Sequence, residues 1–388
     1  MKQLSGGFGN IKGFSNLGKH VGIKLSGKDF GVLFSDKACT AAAVYTGNQI
    51  KGSPLLVTKQ HLANNTAQAI VVNSGIANVA TGEQGKLNAF KTAELVAAQL
   101  GIKTDDVLVA STGVIGQQLP MEIISSGIEG IKHELKAEGG FAEAILTTDT
   151  KKKEICVSIH GFKIAGCAKG SGMIAPNMAT MLAFIATDAD IAGQKLSELL
   201  RNSVESSFNM LSVDMDSSTS DMAIIMANGT VKVDIQQFQE ALTYVCQELA
   251  KMIARDGEGA TKLIISETNG AYSQSDARQV AKSIISSNLV KTAIYGNDPN
   301  WGRLMMAIGN SGAEKLSEDR IEIWVNKTLI TENGAAAPNY NAEKLRTILS
   351  SSEEISIVID LHQGNYSASA YGCDMSEEYI KINAEYTT

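Results

Sequence analysis

Two short apolar runs, each ending in a small residue, a hydroxyl-bearing residue and a glycine, constrain this chain most. Residues 68–72 (QAIVV) lead into Asn73-Ser74-Gly75, and residues 107–110 (VLVA) lead into Ser111-Thr112-Gly113. Continuous apolar runs of this length, stopped by turn residues, read as buried strands. Between them, residues 87–100 place Leu87, Phe90, Ala93, Ala97 and Leu100 at helical spacing, with Gly101 as the stop. The same mixture recurs along the chain. Residues 21–25 and 30–34 read as a hairpin joined by Ser26-Gly27-Lys28-Asp29, and residues 119–135 as a helix closed by Gly139-Gly140. Residues 155–160 alternate Ile155, Val157 and Ile159 against Cys156, Ser158 and His160; Gly161 then turns the chain into a second strand at 162–167. A strand-like run follows at 181–186. Further on, helix patterns occur at 197–208, 238–253 and 277–286, and strand patterns at 223–226, 262–266, 321–325 and 355–361. Intermixed strands and helices predict an α/β class (α+β with mixed sheets), layered helix on sheet, with a second, smaller α/β domain. No internal repeat or low-complexity linker marks a domain boundary.

The chain of 388 residues is 44% hydrophobic, enough for a substantial core, and its formal net charge is -7. That acidic balance gives no support for nucleic-acid binding, which needs clustered Lys and Arg. The basic run Lys151-Lys152-Lys153 reads as a solvated turn. No window approaches 18 consecutive apolar residues, so no membrane helix is expected, and the N-terminus lacks a signal-peptide core. The five cysteines and five histidines are scattered, without CxxC or HExxH. This argues against a disulfide framework and a metal site. The expectation is a cytoplasmic protein with no cofactor.

The segment with most chemistry in it is KGSGMIAPNMATMLAF, residues 169–184. Glycines, a proline and an asparagine crowd ahead of Ala179 and Thr180, and an apolar strand starts abruptly after them. A scissile bond accounts for such a loop. Small Ala179 leaves its carbonyl open to the Thr180 hydroxyl, and an N→O acyl shift followed by hydrolysis would free Thr180 as a new N-terminus. A threonine hydroxyl needs an adjacent base. The new α-amine can serve, because its ordinary pKa of about 7.7–8.0 lies near working pH. On the residues alone, Thr180 also reads as an ordinary first strand residue.

That run resembles the self-cleavage segment of the glutamate N-acetyltransferase family, also called ornithine acetyltransferase, of arginine biosynthesis. So do NSGIANVATG (73–82), ASTGVIG (110–116), ILTTDT (145–150), RDGEGATK (255–262), YGNDPNWGR (295–303) and the terminal INAEYTT (382–388). The seven motifs occur in order over nearly the whole chain. The resemblance implies a cut between Ala179 and Thr180, giving fragments 1–179 and 180–388, with Thr180 as nucleophile. It implies Thr112 and Gly113 as an oxyanion hole, and Lys169, Glu258, Asn383 and Thr388 as substrate contacts. Thr147 is the expected contact from the TTD motif, with Thr148 the alternative. The substrates implied are N-acetylornithine and glutamate, in a heterotetramer of two copies of each fragment. Whether acetyl-CoA also serves as donor stays open. A self-cleaving aminopeptidase with an N-terminal nucleophile is the rival reading. The glycines at 7–9 lack the third glycine and the preceding strand of a dinucleotide fingerprint, and those at 170–172 lack the third glycine and are followed by Pro176.

Overall fold

The structure, a computed structural model, describes residues 1–175 and 181–385. In chain order its strands are β1 (Lys2–Leu4), β2 (Phe14–Lys19), β3 (Phe30–Tyr45), β4 (Thr66–Ile76), β5 (Val107–Val114), β6 (Lys153–Ile159), β7 (Phe162–Lys169) and β8 (Leu182–Asp190). They continue with β9 (Leu211–Ser212), β10 (Met222–Lys232), β11 (Leu263–Ala271), β12 (Glu322–Val325), β13 (Thr328–Glu332), β14 (Ala335–Ala336), β15 (Glu354–Asp360) and β16 (Tyr366–Cys373). Among the described residues they form two sheets. The nine-stranded sheet runs β1-β6-β7-β8-β10-β3-β4-β5, with β2 also on β3; the seven-stranded sheet runs β14-β13-β12-β15-β11-β16-β9. Each mixes parallel pairs (β4 with β5, β8 with β10, β11 with β15) and antiparallel ones, as the intermixed pattern predicted.

The period-2 pattern explains why the large sheet is buried on both faces. Along β8 and β10, Phe184, Ala186, Ile224 and Met226 point into one core with Leu33 and Phe141. Their neighbours Ala183, Ile185, Ala223 and Ile225 point into the other, against Phe238, Leu242, Val245 and Leu249 of the helix Ile235–Arg255. Each Phe, Leu, Ile, Val or Met side chain among them contributes about 1.5–3 kcal/mol on leaving water. Leu263, Tyr371 and Cys373 of the second sheet belong to this same core, so apolar packing joins the two sheets. The far face of the second sheet is covered by the helix Gln274–Ser286 through Val280 and Ile284.

Three sequence expectations are corrected. Residues 21–25 are not a strand: β2 is the antiparallel partner of β3. Instead the buried Asp29 carboxylate accepts the backbone N–H groups of Val21, Gly22, Ile23 and Lys24 at 2.6–3.1 Å and fixes those residues as a loop. The helix expected over 119–135 is broken into Met121–Ile128 and Ile131–Glu134 by Gly130, which adopts φ +74°. Finally, the basic run is not a solvated turn throughout, because Lys153 is 1% exposed.

Strand β3 bends the large sheet around the site. Its first residues, Phe30–Phe34, pair with β4, and Thr40–Tyr45 pair with β10, with the register breaking between Phe34 and Cys39. Flat, β5 and β7 would be five strand spacings, about 24 Å, apart. The coiled sheet brings their ends into contact: the Lys169 amine on β7 donates to the Thr112 hydroxyl on β5 at 3.3 Å.

Candidate active site

The ends of β5, β7, β8 and β10 surround a cleft with about 750 Å³ of open space. On one wall, Ser74-Gly75 of β4 run in parallel register with Thr112-Gly113 of β5. Gly113 has φ +127°, and a Cβ there would lie 2.2 Å from the Gly75 carbonyl carbon. Only glycine fits, which leaves backbone rather than side chain facing the cleft. Lysine can only donate, so the Lys169 contact uses a lone pair of the Thr112 oxygen and leaves its O–H free to point elsewhere.

The opposite wall is the loop of residues 170–175. Asp149 accepts Gly170 N–H at 2.7 Å, and Asp214 accepts Met173 N–H at 2.6 Å and Ile174 N–H at 2.8 Å. The Ser217 hydroxyl donates to the Ala175 carbonyl at 2.7 Å. Met173 is held at φ +54°, sparsely populated for a side chain of that size. Burial alone would raise the Asp149 carboxyl, but Lys169, Lys153 and the bonds from Lys153 and Thr147 outweigh it and hold it below its ordinary value. For Asp214, burial prevails and the carboxyl is raised.

Glu258 closes the floor. It is 9% exposed and lies so close to Gly172 that a Cβ there would be 2.3 Å from its carboxylate. Asn383, on the helix Glu377–Glu385, donates to that carboxylate at 2.8 Å. Of the two candidate threonines, Thr148 shares a 2.7 Å hydrogen bond with Ser171. The Thr147 hydroxyl has no partner among the described residues; its backbone N–H bonds Asp149 at 3.0 Å. Both line the cleft.

The ArgJ family model matches residues 16–388 of this chain. The arginine biosynthesis bifunctional protein ArgJ of Listeria monocytogenes is 47% identical over 401 aligned positions, covering all of both chains. A solved structure of arginine biosynthesis bifunctional protein ArgJ from Bacillus halodurans is 39% identical, with a TM-score of 0.50, over 52% of this chain and 98% of that one. An ornithine acetyltransferase of Mycobacterium tuberculosis, solved with ornithine, is 37% identical, with a TM-score of 0.45, over 46% of this chain and 99% of that one. The chain belongs to the ArgJ family.

As a member of the ArgJ family it is an acyltransferase of arginine biosynthesis. Its cleft gathers Thr112, Gly113, Thr147, Lys169, Glu258 and Asn383, which the sequence scatters over some 270 positions. Ala179, Thr180 and Thr388 lie outside the described residues. Met181, which follows Thr180, lines the cleft, and its carbonyl accepts Met222 N–H at 3.0 Å. The sequence reading passed over Asp214 and Asp221. The only signal for them is the small polar run DMDSSTSD (214–221) just ahead of β10, which resembles a solvated loop. Among the described residues, no group of His, Cys, Asp and Glu is placed to hold a metal ion, and no helix is long and apolar enough to cross a membrane.

Proposed function

We propose that this cleft moves an acetyl group from N-acetylornithine to glutamate through an acetyl-Thr180 intermediate, after the chain cuts itself between Ala179 and Thr180. The observation that carries the reading is that Ile174 and Met181, on either side of the proposed cut, both line the cleft that holds Thr112, Gly113, Lys169 and Glu258. The Bacillus halodurans chain, about half as long as this one, is what a cut near the middle leaves. Strands from both sides of the cut, β7 and β8, are hydrogen-bonded neighbours in the large sheet, so the two fragments share one core and stay together. The proposed assembly is two copies of each fragment.

In the reaction the Thr180 hydroxyl attacks the acetyl carbonyl while its own α-amine takes the proton. Thr112 O–H and Gly113 N–H hold the oxyanion, and Glu258, with Asn383 orienting it, meets the amino end of the substrate. Thr147 and Thr388 complete the contacts. Ornithine leaves, and the glutamate amine collects the acetyl group. Because its relatives are called bifunctional, the same cleft is read as also taking acetyl from acetyl-CoA; CoA release with glutamate alone tests that arm.

Initial rates with both substrates varied are expected to give the parallel lines of a ping-pong mechanism. Intersecting lines, with no acetylated fragment in the mass spectrum, would refute the covalent intermediate. Thr112→Val is expected to lower kcat by on the order of 10²–10³ in cut protein with little change in KM, as loss of one oxyanion donor does. Fragment yield is measured alongside, since the same hole serves the cut. An unchanged kcat removes Thr112 from the site.

A further inference from the structure

Asp221 is the buried group in this cleft whose chemistry is unassigned. It stands at the head of β10, 4% exposed, and lines the cleft wall. The hydroxyl of Ser218 bonds its carboxyl, yet Oδ2 has no hydrogen-bond partner among the described residues. The neighbouring Ser220 Oγ is equally unpartnered. Buried polar atoms are nearly always satisfied, and leaving one unpaired costs about 1–3 kcal/mol. Two adjacent exceptions beside a reaction cleft call for an occupant that arrives later.

The fold says where that occupant comes from. Strands β8 and β10 are parallel with Leu182 opposite Met222, which sets Asp221 beside Met181. Cutting the bond before residue 180 creates an α-amine on the residue bonded to Met181.

We propose that Asp221, with Ser220, receives the α-amine that the cut creates and is the positioning residue for the general base. The inference rests on the self-cleavage reading above. As the Thr180 oxygen bonds the acetyl carbon, its proton passes to the uncharged amine, and the resulting ammonium lies beside the Asp221 carboxylate. When the C–N bond to ornithine breaks, that proton goes to the departing amine. Among the described residues, no cation is hydrogen-bonded to Asp221 Oδ2. Lys169 on β7, itself beside Asp149, acts on Asp221, but burial prevails and holds the carboxyl well above its ordinary value. After the cut, amine and acid sit together, and the carboxylate stabilises the ammonium that forms when the amine takes the Thr180 proton.

The test compares cut wild-type enzyme with Asp221→Asn, which keeps the shape and loses the charge. N-terminal sequencing first confirms a fragment beginning Thr-Met-Leu-Ala; without it the self-cleavage reading fails, independently of Asp221. With it, kcat/KM is followed against pH, and the α-amine is titrated by pH-dependent labelling read at that N-terminus. A neighbouring carboxylate raises an amine's pKa, so the wild-type amine is expected to titrate above the ordinary range of about 7.7–8.0. In Asp221→Asn the acidic limb is expected about one pH unit lower, with plateau kcat down roughly 10- to 100-fold. A limb that does not move, or a wild-type amine titrating at or below the ordinary range, overturns the proposal. Where Asp221→Asn does not fold or does not cut, the wild-type titration decides alone.

Discussion

Thr180→Ala is expected to yield a single, stable, uncut chain of 41.1 kDa with no acetyl transfer. The hydroxyl is needed twice, once to attack the Ala179 carbonyl and once to carry acetyl, and no other residue supplies it. Removing a covalent nucleophile lowers kcat by on the order of 10⁶-fold, which places the variant below detection. The fold is expected to survive, because the contacts that bracket the site do not involve Thr180: Met181 is bonded to Met222, and residues 170–175 are clamped by Asp149 and Asp214. Thr180→Ser keeps the hydroxyl and the future amine but loses a methyl that restricts χ1. It is expected to cut slowly and keep partial activity. Gel electrophoresis and an ornithine-release assay check both. A Thr180→Ala chain that cuts normally or turns over at the wild-type rate sends the chemistry elsewhere.

Local pattern was enough to read the strands that build the site. The alternation at 155–160 became β6, the run at 162–167 became β7 and that at 181–186 became β8, each extended by a few residues where tertiary pairing continued. The two apolar runs ending in glycine became β4 and β5, and the second of those glycines is required by a close backbone approach. The order of strands was not legible, because it depends on the long β3, of which only residues 30–34 carry a strand pattern. The sheet's coiling, which joins Lys169 to Thr112, follows from that order. Asp214 and Asp221 were missed for a related reason. In a run of serines, threonines and aspartates, nothing local distinguishes a solvated loop from one pressed against another loop. Burial there comes from residues 173–175 and from Thr46, whose backbone N–H bonds the Asp221 carbonyl at 3.0 Å.

Lys153 shows the same limit and carries a large expected stability effect outside the apolar core. It follows Lys152 in one basic run, yet the two differ in kind. Lys152 meets Glu154 at 3.2 Å on the surface, with more than half of its side chain exposed. Lys153 is enclosed, and its amine lies 2.6 Å from both Asp149 and Asp256. Removing one partner of a buried ionic group leaves uncompensated charge and costs about 3–5 kcal/mol, whereas exposed pairs contribute about 0–1 kcal/mol. Lys153→Met is therefore expected to lower Tm by roughly 4–6 °C, and Lys152→Met by no more than about 1 °C. Both are measured in the uncut Thr180→Ala background, so that fragment dissociation does not enter. The pH dependence has a definite sign. The folded chain holds the Asp149 carboxyl below its unfolded value, so its stabilisation is complete above about pH 4 and is lost as pH falls through the lowered folded value. Deleting Lys153 removes a cause of that lowering and moves the acid edge of the melting curve to higher pH. The loss reaches the cleft, because Asp149 anchors Gly170 and faces Lys169. Lys153→Arg, which keeps a charged donor between the two carboxylates, is expected to recover much of the Tm. Equal melting shifts for the two methionine variants would mean that the Asp149–Lys153–Asp256 group does not hold the 170–175 loop in place.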